Sequence, residues 1–446
     1  MSSKTKTIAT KEEATPALVP KLRFPEFRGA KAWALEPMGE IYSFKGNNSL
    51  SRDKLNYVAG SVKNIHYGDI HTKFSTHFDI TKELVPFINE SEEGIVRDEN
   101  LCAEGDMIFA DASEDMADIG KSIEIVSLNG ESVVSGLHTV LARRRGDRIA
   151  LGFGGHLFKS GWVRTQIQKE AQGAKVLGIS ANRMRSLRLP IPNAEIEQQK
   201  IAECLSSADE LIAAQARKVD ALKTQKNGLM QQLFPREGET QPRVRFPEFQ
   251  NDGEWKETRL GQLGELVSGL TYSPDDVRES GLLVLRSSNV QDGEITLDDN
   301  VYVDPTTKGA NLSRPNDILI CIRNGSKALI GKSALIPVGM PLCTHGAFMT
   351  VFRAETPLFA FQLFQTKDYR KQVAGDLGAT INSINGRQLL KYKFVVPKPA
   401  EQQRIASCLS SLDARITAET QKLETLKTHK KGLMQQLFPS PEEVEA

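Results

Sequence analysis

"EQQKIAECLSSAD", Glu197 to Asp209, returns 204 positions later as "EQQRIASCLSSLD", Glu401 to Asp413. In the first copy the apolar residues fall at Ile201, Leu205, Ala208, Ile212, Val219 and Leu222, in steps of four and three once Gln215 is counted as a polar member. That spacing predicts a long helix with a narrow, coiled-coil-like seam. The second copy keeps the register at Ile405, Leu409, Leu412, Ile416, Leu423 and Leu426, with Glu419 in the place of Gln215. A polar residue at one seam position either helps to fix register at a cost in stability or simply meets solvent. Lys226 and Lys430 take the next seam position in each copy. Prolines in "PIPNAEIEQQ" and "PKPAEQQ" suit the helix entries, and Pro235 and Pro439 should stop the helices. Roughly 33 residues at ~1.5 Å rise give a rod of ~50 Å.

So narrow a stripe needs a partner, and the other copy supplies one in the same register. An intramolecular antiparallel pair with a pseudo-two-fold axis is the expectation; the alternative is that each helix docks on its own neighbouring module or on another protein.

The duplication extends further. "LRFPEF", Leu22 to Phe27, recurs 222 positions on as "VRFPEF", Val244 to Phe249, and the same offset matches Trp33 with Trp255 and Gly39 with Gly261. "GLMQQLFP" occurs at Gly228 to Pro235 and at Gly432 to Pro439. The order is therefore A, B, A′, B′, and the middles of A and A′ resemble each other hardly at all. Duplicated ends around divergent middles imply one scaffold displaying two variable modules. The expected division is a flexible tail at 1–19, a first module at 20–191, a central helical spacer at 192–238, a second module at 239–397, a C-terminal helical spacer at 398–439, and an acidic tail at 440–446.

A chain of 446 residues can form two or three domains of ordinary size. With 57 Lys+Arg against 56 Asp+Glu, a polybasic mode of binding is disfavoured, although local charge decides nucleic-acid affinity. Cys102, Cys204, Cys321, Cys343 and Cys408 form no CxxC pair, so neither a zinc site nor a disulfide framework is expected, and a reducing cytoplasm fits. No run approaches the ~20 apolar residues of a membrane span.

The modules read as α+β. "GLLVLRSSNVQDGEITLDD", Gly281 to Asp299, is strand, turn and strand, with Asp292-Gly293 as the reversal. "NDILICIRNGSKALIGKSALI", Asn316 to Ile336, repeats that pattern, and "GDMIFADASEDMADIGKSIEIV", Gly105 to Val126, answers it in the first module. Arg286, Ser287, Ser288 and Asn289 follow one apolar run; Arg323, Asn324 and Ser326 follow another. Arg pairs bidentately with guanine and Asn with adenine, so these residue types can read base edges. Lys63, Asn64, His66, Tyr67, Lys73 and His77 form a comparable basic, aromatic-interleaved stretch in the first module. The same residues are also ordinary turn and surface chemistry. His138 and His345, at comparable places beside apolar segments, are expected to be structural.

No GxxxxGK[ST], HExxH, GxSxG or strand-to-helix GxGxxG motif is present, and the Asn-Pro-Pro-aromatic signature of adenine methyltransferases is missing. "GFGGH", Gly152 to His156, lacks the context of a phosphate loop, and "SPDDVRES", Ser273 to Ser280, lacks the Glu-x-Lys of a metal-dependent nuclease. The pattern favours binding over catalysis, with no metal site.

The paired "RFPEF…W" segments, the proline-led "EQQ" helix entries and the two "GLMQQLFP" helix ends together resemble the specificity subunit of a type I restriction-modification system, from about Pro20 to Pro439. The resemblance implies two target recognition domains joined by two long helices that form an antiparallel coiled coil. Each domain would read one half of a bipartite, asymmetric sequence in double-stranded DNA. The helices would set the gap and dock two methyltransferase subunits, and restriction subunits would complete the assembly. The chain itself would be non-catalytic and bind no cofactor, with S-adenosylmethionine, ATP and Mg on the partner subunits. The competing reading is a two-module coiled-coil scaffold for protein interactions, without DNA binding.

Overall fold

The computed structural model describes residues 18–377 and 382–439. The acidic tail expected at 440–446 and residues 1–17 of the expected N-terminal tail lie outside them. Leu18 belongs to the core instead: it is buried, and the Trp33 amide donates to its carbonyl at 2.7 Å.

Two α-helices of 39 residues, Glu195–Leu233 and Pro399–Leu437, follow the duplicated seam and are longer than the spacing alone predicts. Each stops two residues before its proline, Pro235 or Pro439. The chain forms two compact units whose boundaries cut both helices. One unit comprises residues 1–215 and 422–446, the other 216–421. Each unit therefore holds one variable module, the start of one long helix and the end of the other.

In the first unit a five-stranded sheet runs in the order Tyr42–Lys45, Thr139–Arg144, Met107–Ala110, Ser122–Ser127, His77–Asp79. Only the last pairing is parallel. A second sheet places Ser132–Ser135 parallel to Val62–Ile65, followed by Phe87–Ile88 and Leu55–Asn56. In the second unit Gly264–Ser268, Met349–Ala354, Ile318–Cys321 and Ser333–Leu335 form an antiparallel sheet. Its companion again sets Cys343–His345 parallel to Leu282–Leu285.

These sheets reveal a repeat that the divergent middles conceal. Met107–Ala110 corresponds to Ile318–Cys321, both buried throughout, and Thr139–Arg144 to Met349–Ala354. Each pair of strands is tied by an Arg–Asp ion pair, Arg143 with Asp106 at 2.9 Å and Arg353 with Asp317 at 2.7 Å. "IGKS" stands at Ile119 to Ser122 and at Ile330 to Ser333. Its glycines, at φ +65 and +81, let the chain pass close to Ile167 and to Val373 respectively, where a Cβ would be crowded.

The core of the first unit joins Ile201, Ala202 and Leu205 of one long helix to Leu437 and Phe438 at the end of the other. The core of the second joins Met230, Leu233 and Phe234 to Ile405, Ala406 and Leu409. Within each unit the helices run antiparallel. In the second, Lys218 pairs with Glu419 at 2.5 Å and Lys226 with Asp413 at 2.6 Å, so one number rises as the other falls. The equivalent bond in the first unit joins Lys430 to Asp209 at 2.5 Å. Of the expected seam, Ile201, Leu205, Val219, Leu222, Ile405 and Leu409 are buried, while Ile212, Leu412, Ile416, Leu423 and Leu426 are half-buried. A two-helix seam shields only one stripe, so full burial comes where a module also covers it.

The duplicated hexapeptide has a definite task. Arg23 grips Glu197 bidentately, Nε to Oε1 and Nη2 to Oε2, both at 2.7 Å. Arg245 grips Glu401 through the same atoms at the same distances. Backbone bonds add the far helix ends: the Leu22 amide donates to the Gln436 carbonyl at 2.9 Å, and that of Val244 to Gln232 at 3.0 Å. RFPEF thus ties each module to the start of one long helix and the end of the other.

Candidate nucleic-acid interface

At one end of the paired sheets, loops converge in each unit. In the first, the turn after Ser132–Ser135 is pinned by the Gly136 amide donating to the Ile65 carbonyl at 2.9 Å, and Asp111 N donates to His138 O at 3.1 Å. In the second, Gly346 N donates to Leu285 O at 3.0 Å and Ile322 N to Phe348 O at 3.0 Å. A further segment joins each cluster, Ile179 N donating to Asp111 O at 2.9 Å and Ile384 N to Ile322 O at 2.8 Å. The "IGKS" lysines buttress both clusters from behind, Lys121 Nζ donating to His71 O at 2.7 Å and Lys332 Nζ to Val290 O at 3.0 Å.

The framework is shared and the side chains are not. In the first cluster Tyr67 lies edge-on to His138 with centroids 5.3 Å apart, and His138 Nδ1 is 3.4 Å from Asp111 Oδ1. Burial raises the Asp111 carboxyl above its ordinary range, with His138 opposing the shift. In the second, Asn324 Nδ2 donates to Ser287 Oγ at 3.0 Å, so the two loops singled out in this module meet. The Arg323 guanidinium lies 5.6 Å from the centre of the exposed Phe348 ring.

Of the residues expected to contact DNA, five are interior or engaged in holding the fold. Lys63 is tucked against Glu131 and the Phe87 ring. Asn64 is fully buried and accepts from Asn48 Nδ2 at 2.6 Å. His66 is buried and accepts from the Gly68 amide at 3.2 Å as the cap of Tyr67–Thr72; desolvation lowers its pKa. His77 points to the helix end of its unit, with Nε2 2.7 Å from Gly152 O and Nδ1 3.3 Å from Ser206 Oγ. Asn289 is fully buried and organises its loop, accepting from Arg286 N at 2.9 Å and donating to the Thr296 and Asp299 carbonyls. Their alternation along short strands and turns turns these side chains inward, which a run of polar letters does not disclose.

The others stay outside to differing degrees. Tyr67, Ser287 and Asn324 are half-buried, and Ser288, Arg323 and Ser326 are exposed. Arg286 is half-buried and paired with Asp299 at 2.7 Å, and the exposed Lys73 with Asp69 at 2.9 Å, a bond that raises the lysine pKa. His345 is fully buried and within 3.0 Å of the Val267 carbonyl, a structural histidine, but His138 is not its counterpart. His138 matches Phe348, and both are exposed at the tip. The signal was the shared Gly136 and Gly346 two residues earlier, which come into line only when the "IGKS" alignment of the middles is given a one-residue gap.

Among the described residues no cluster of His, Cys, Asp and Glu could hold a metal ion, and no helix is long and apolar enough to cross a membrane.

Each of the two units presents its own loop chemistry on a matching framework, and both long helices contribute to each unit. Residues 252–428 match the family model described as the type I restriction modification DNA specificity domain. The chain is 28% identical over 181 residues to the StySPI specificity subunit of Salmonella potsdam, and 29% over 181 residues to the EcoKI specificity subunit of Escherichia coli. Each alignment covers 39% of this chain and 39% of the relative. Identity to the putative MjaX specificity subunit of Methanocaldococcus jannaschii is 24% over 402 residues, 87% of this chain and 88% of that one. In fold, the crystal structure of the S subunit from M. genitalium is similar at a TM-score of 0.59 and 15% identity, covering 95% of this chain and all of the other. Residues 252–428 thus match a type I restriction modification DNA specificity domain, and the chain is similar along most of its length to specificity subunits of type I restriction enzymes.

Proposed function

We propose that this chain is the DNA-reading subunit of a type I restriction-modification complex, each unit recognising one half of a bipartite, asymmetric site. The observation that carries the reading is the pair of loop clusters. They are anchored by matching backbone bonds yet carry His138, Asp111 and Tyr67 in one unit and Arg323, Phe348 and Asn324 in the other. Equal frameworks with unequal tips imply unequal half-sites, because base identity is read by the donors, acceptors and apolar groups presented to the groove.

Each long helix runs unbroken from one unit into the other, and 39 residues at ~1.5 Å rise span roughly 58 Å. A stiff element of that kind suits a fixed gap, since one base pair of slip costs ~3.4 Å along the duplex. Two methyltransferase subunits docking on the helices, with restriction subunits in the full assembly, would supply the chemistry. S-adenosylmethionine, ATP and Mg then belong to those partners, and a cytoplasmic location follows from the role.

Co-expression with the methyltransferase encoded beside it, in a host without other such systems, tests the reading by mapping adenine methylation across the genome. One bipartite motif with a fixed gap is expected. A stable complex that neither methylates nor binds DNA with affinity falling steeply in salt would favour the interaction scaffold instead.

A further inference from the structure

We infer that His138 and Phe348, at matching turns of the two units, are specificity-determining residues that meet base edges of the two half-sites. The inference rests on the DNA-reading role above and adds the residues and their chemistry.

Three observations converge on these turns. Each lies where the chain passes from one sheet to the other, between Ser132–Ser135 and Thr139–Arg144 or between Cys343–His345 and Met349–Ala354, and both turns are pinned by the glycine and carbonyl bonds described above, which hold the tip in place. Both expose a large planar side chain that contributes nothing to the core: His138 is 52% exposed and Phe348 58%. Third, His138 has a left-handed backbone, φ +54, and is one of four non-glycine residues with positive φ among those described. A non-glycine residue is uncommon in that region, though histidine enters it more readily than most, so the turn is held in a conformation that few side chains adopt. Glycine adopts that backbone without cost.

The surroundings differ in kind. The His138 imidazole faces Asp111 from the loop after Met107–Ala110 and Tyr67 from the Tyr67–Thr72 helix, which orient it as a hydrogen-bonding edge. The Phe348 ring faces the Arg323 guanidinium, an apolar face beside a fork suited to guanine. Histidine thus supplies polar readout in one half-site, and phenylalanine supplies apolar contact, of the kind that suits a thymine methyl, in the other.

The test uses the full chain in complex with its methyltransferase, comparing wild type with His138→Gly and Phe348→Ala. With His138→Gly, methylation should spread at one position of a single half-site, discrimination there falling about 10- to 100-fold, while the thermal midpoint does not fall. With Phe348→Ala, the other half-site alone should relax. Unchanged motifs in both variants overturn the inference, and so does equal weakening of both half-sites by either one. His138→Asn, which tolerates a left-handed backbone, separates lost contact from lost shape: a motif altered at the same position supports direct readout, and an unaltered one refutes it. Should the wild type yield no bipartite motif, the DNA-reading role itself fails, an outcome distinct from wild-type specificity that survives both substitutions.

Discussion

Where a short helix of each unit meets the long helices, the two units solve one packing problem with different chemistry. In the first, Phe153–Leu157 begins in a glycine run whose Gly152 and Gly155 amides donate to the Glu124 carboxylate at 2.7 and 2.6 Å. His156 then reaches Ser206 Oγ at 3.3 Å, and its ring crosses His77 with centroids 4.6 Å apart. In the second, the helix Pro357–Leu363 starts on proline, Leu335 stands where Glu124 does, and Gln362 replaces His156. Gln362 Nε2 donates to Asp413 at 3.0 Å, and Gln365 Oε1 accepts from Lys226 Nζ at 2.8 Å. The long helices require a buried hydrogen-bonding side chain at this place, and either an imidazole or an amide suffices. Only the first solution carries imidazoles and a carboxyl whose charged forms burial disfavours.

Both units share the RFPEF anchor, so the largest expected effect is also the most symmetrical. Replacing Arg23 by Met leaves Glu197 charged and buried without its fork, and Arg245→Met does the same to Glu401. Loss of one partner of such a pair costs about 3–5 kcal/mol. Denaturant melts of the two variants should show comparable losses. A much smaller loss for one would mean that its helix entry is held by other contacts, such as the Trp33 Nε1 bond to Glu197 at 3.2 Å, which donates only in the first unit.

The titratable junction should break the symmetry. Burial pushes the His156 pKa down to about 2 and lowers that of His77. A lowered folded-state pKa gives stability that is present above the unfolded value of about 6.5 and lost as pH falls below it. Glu124 has the opposite sign: burial raises it to about 7, so its contribution is present below its unfolded value and lost as pH rises through 7. Lys159, lowered to about 8 by burial, is protonated in both states below pH 7 and drops out of the balance. Two imidazoles against one carboxyl leave a net loss of stability as pH falls below about 7, because the unfolded chain then binds more protons than the folded one. Hydrogen exchange between pH 7.5 and 5.5 should therefore show Phe153–Leu157 losing protection before Pro357–Leu363. His156→Gln, which copies the second unit, should flatten the difference; the same profile in the variant would sink this account.

The smallest effect sharpens the comparison of the helix ion pairs. Lys226–Asp413 has a buried lysine and Lys430–Asp209 a half-buried one, but both acids are about a third exposed, so removing either should cost about 1 kcal/mol or less. Lys226 also donates to Gln365, whereas Lys430 faces the charged Lys159. Lys226→Met should accordingly destabilise more than Lys430→Met in thermal melts, and the reverse order would show that the neighbours do not matter.

The long helices, their stops at Pro235 and Pro439, the duplication and the α+β character of the modules were legible in the letters, because periodicity, proline and turn chemistry are local properties. The repeated Arg23 and Arg245 were visible too, but not their bonds to Glu197 and Glu401, which join residues far apart in the chain. The exchange of helix ends between the units, the hidden correspondence of the modules, and the exposure of His138 beside the burial of Asn64, His66 and Asn289 were decided by the tertiary structure. Strands of four residues with buried faces on both sides carry no alternation to mark inside from outside. Which polar side chain at a strand end turns outward therefore depends on backbone bonds and packing made by distant segments.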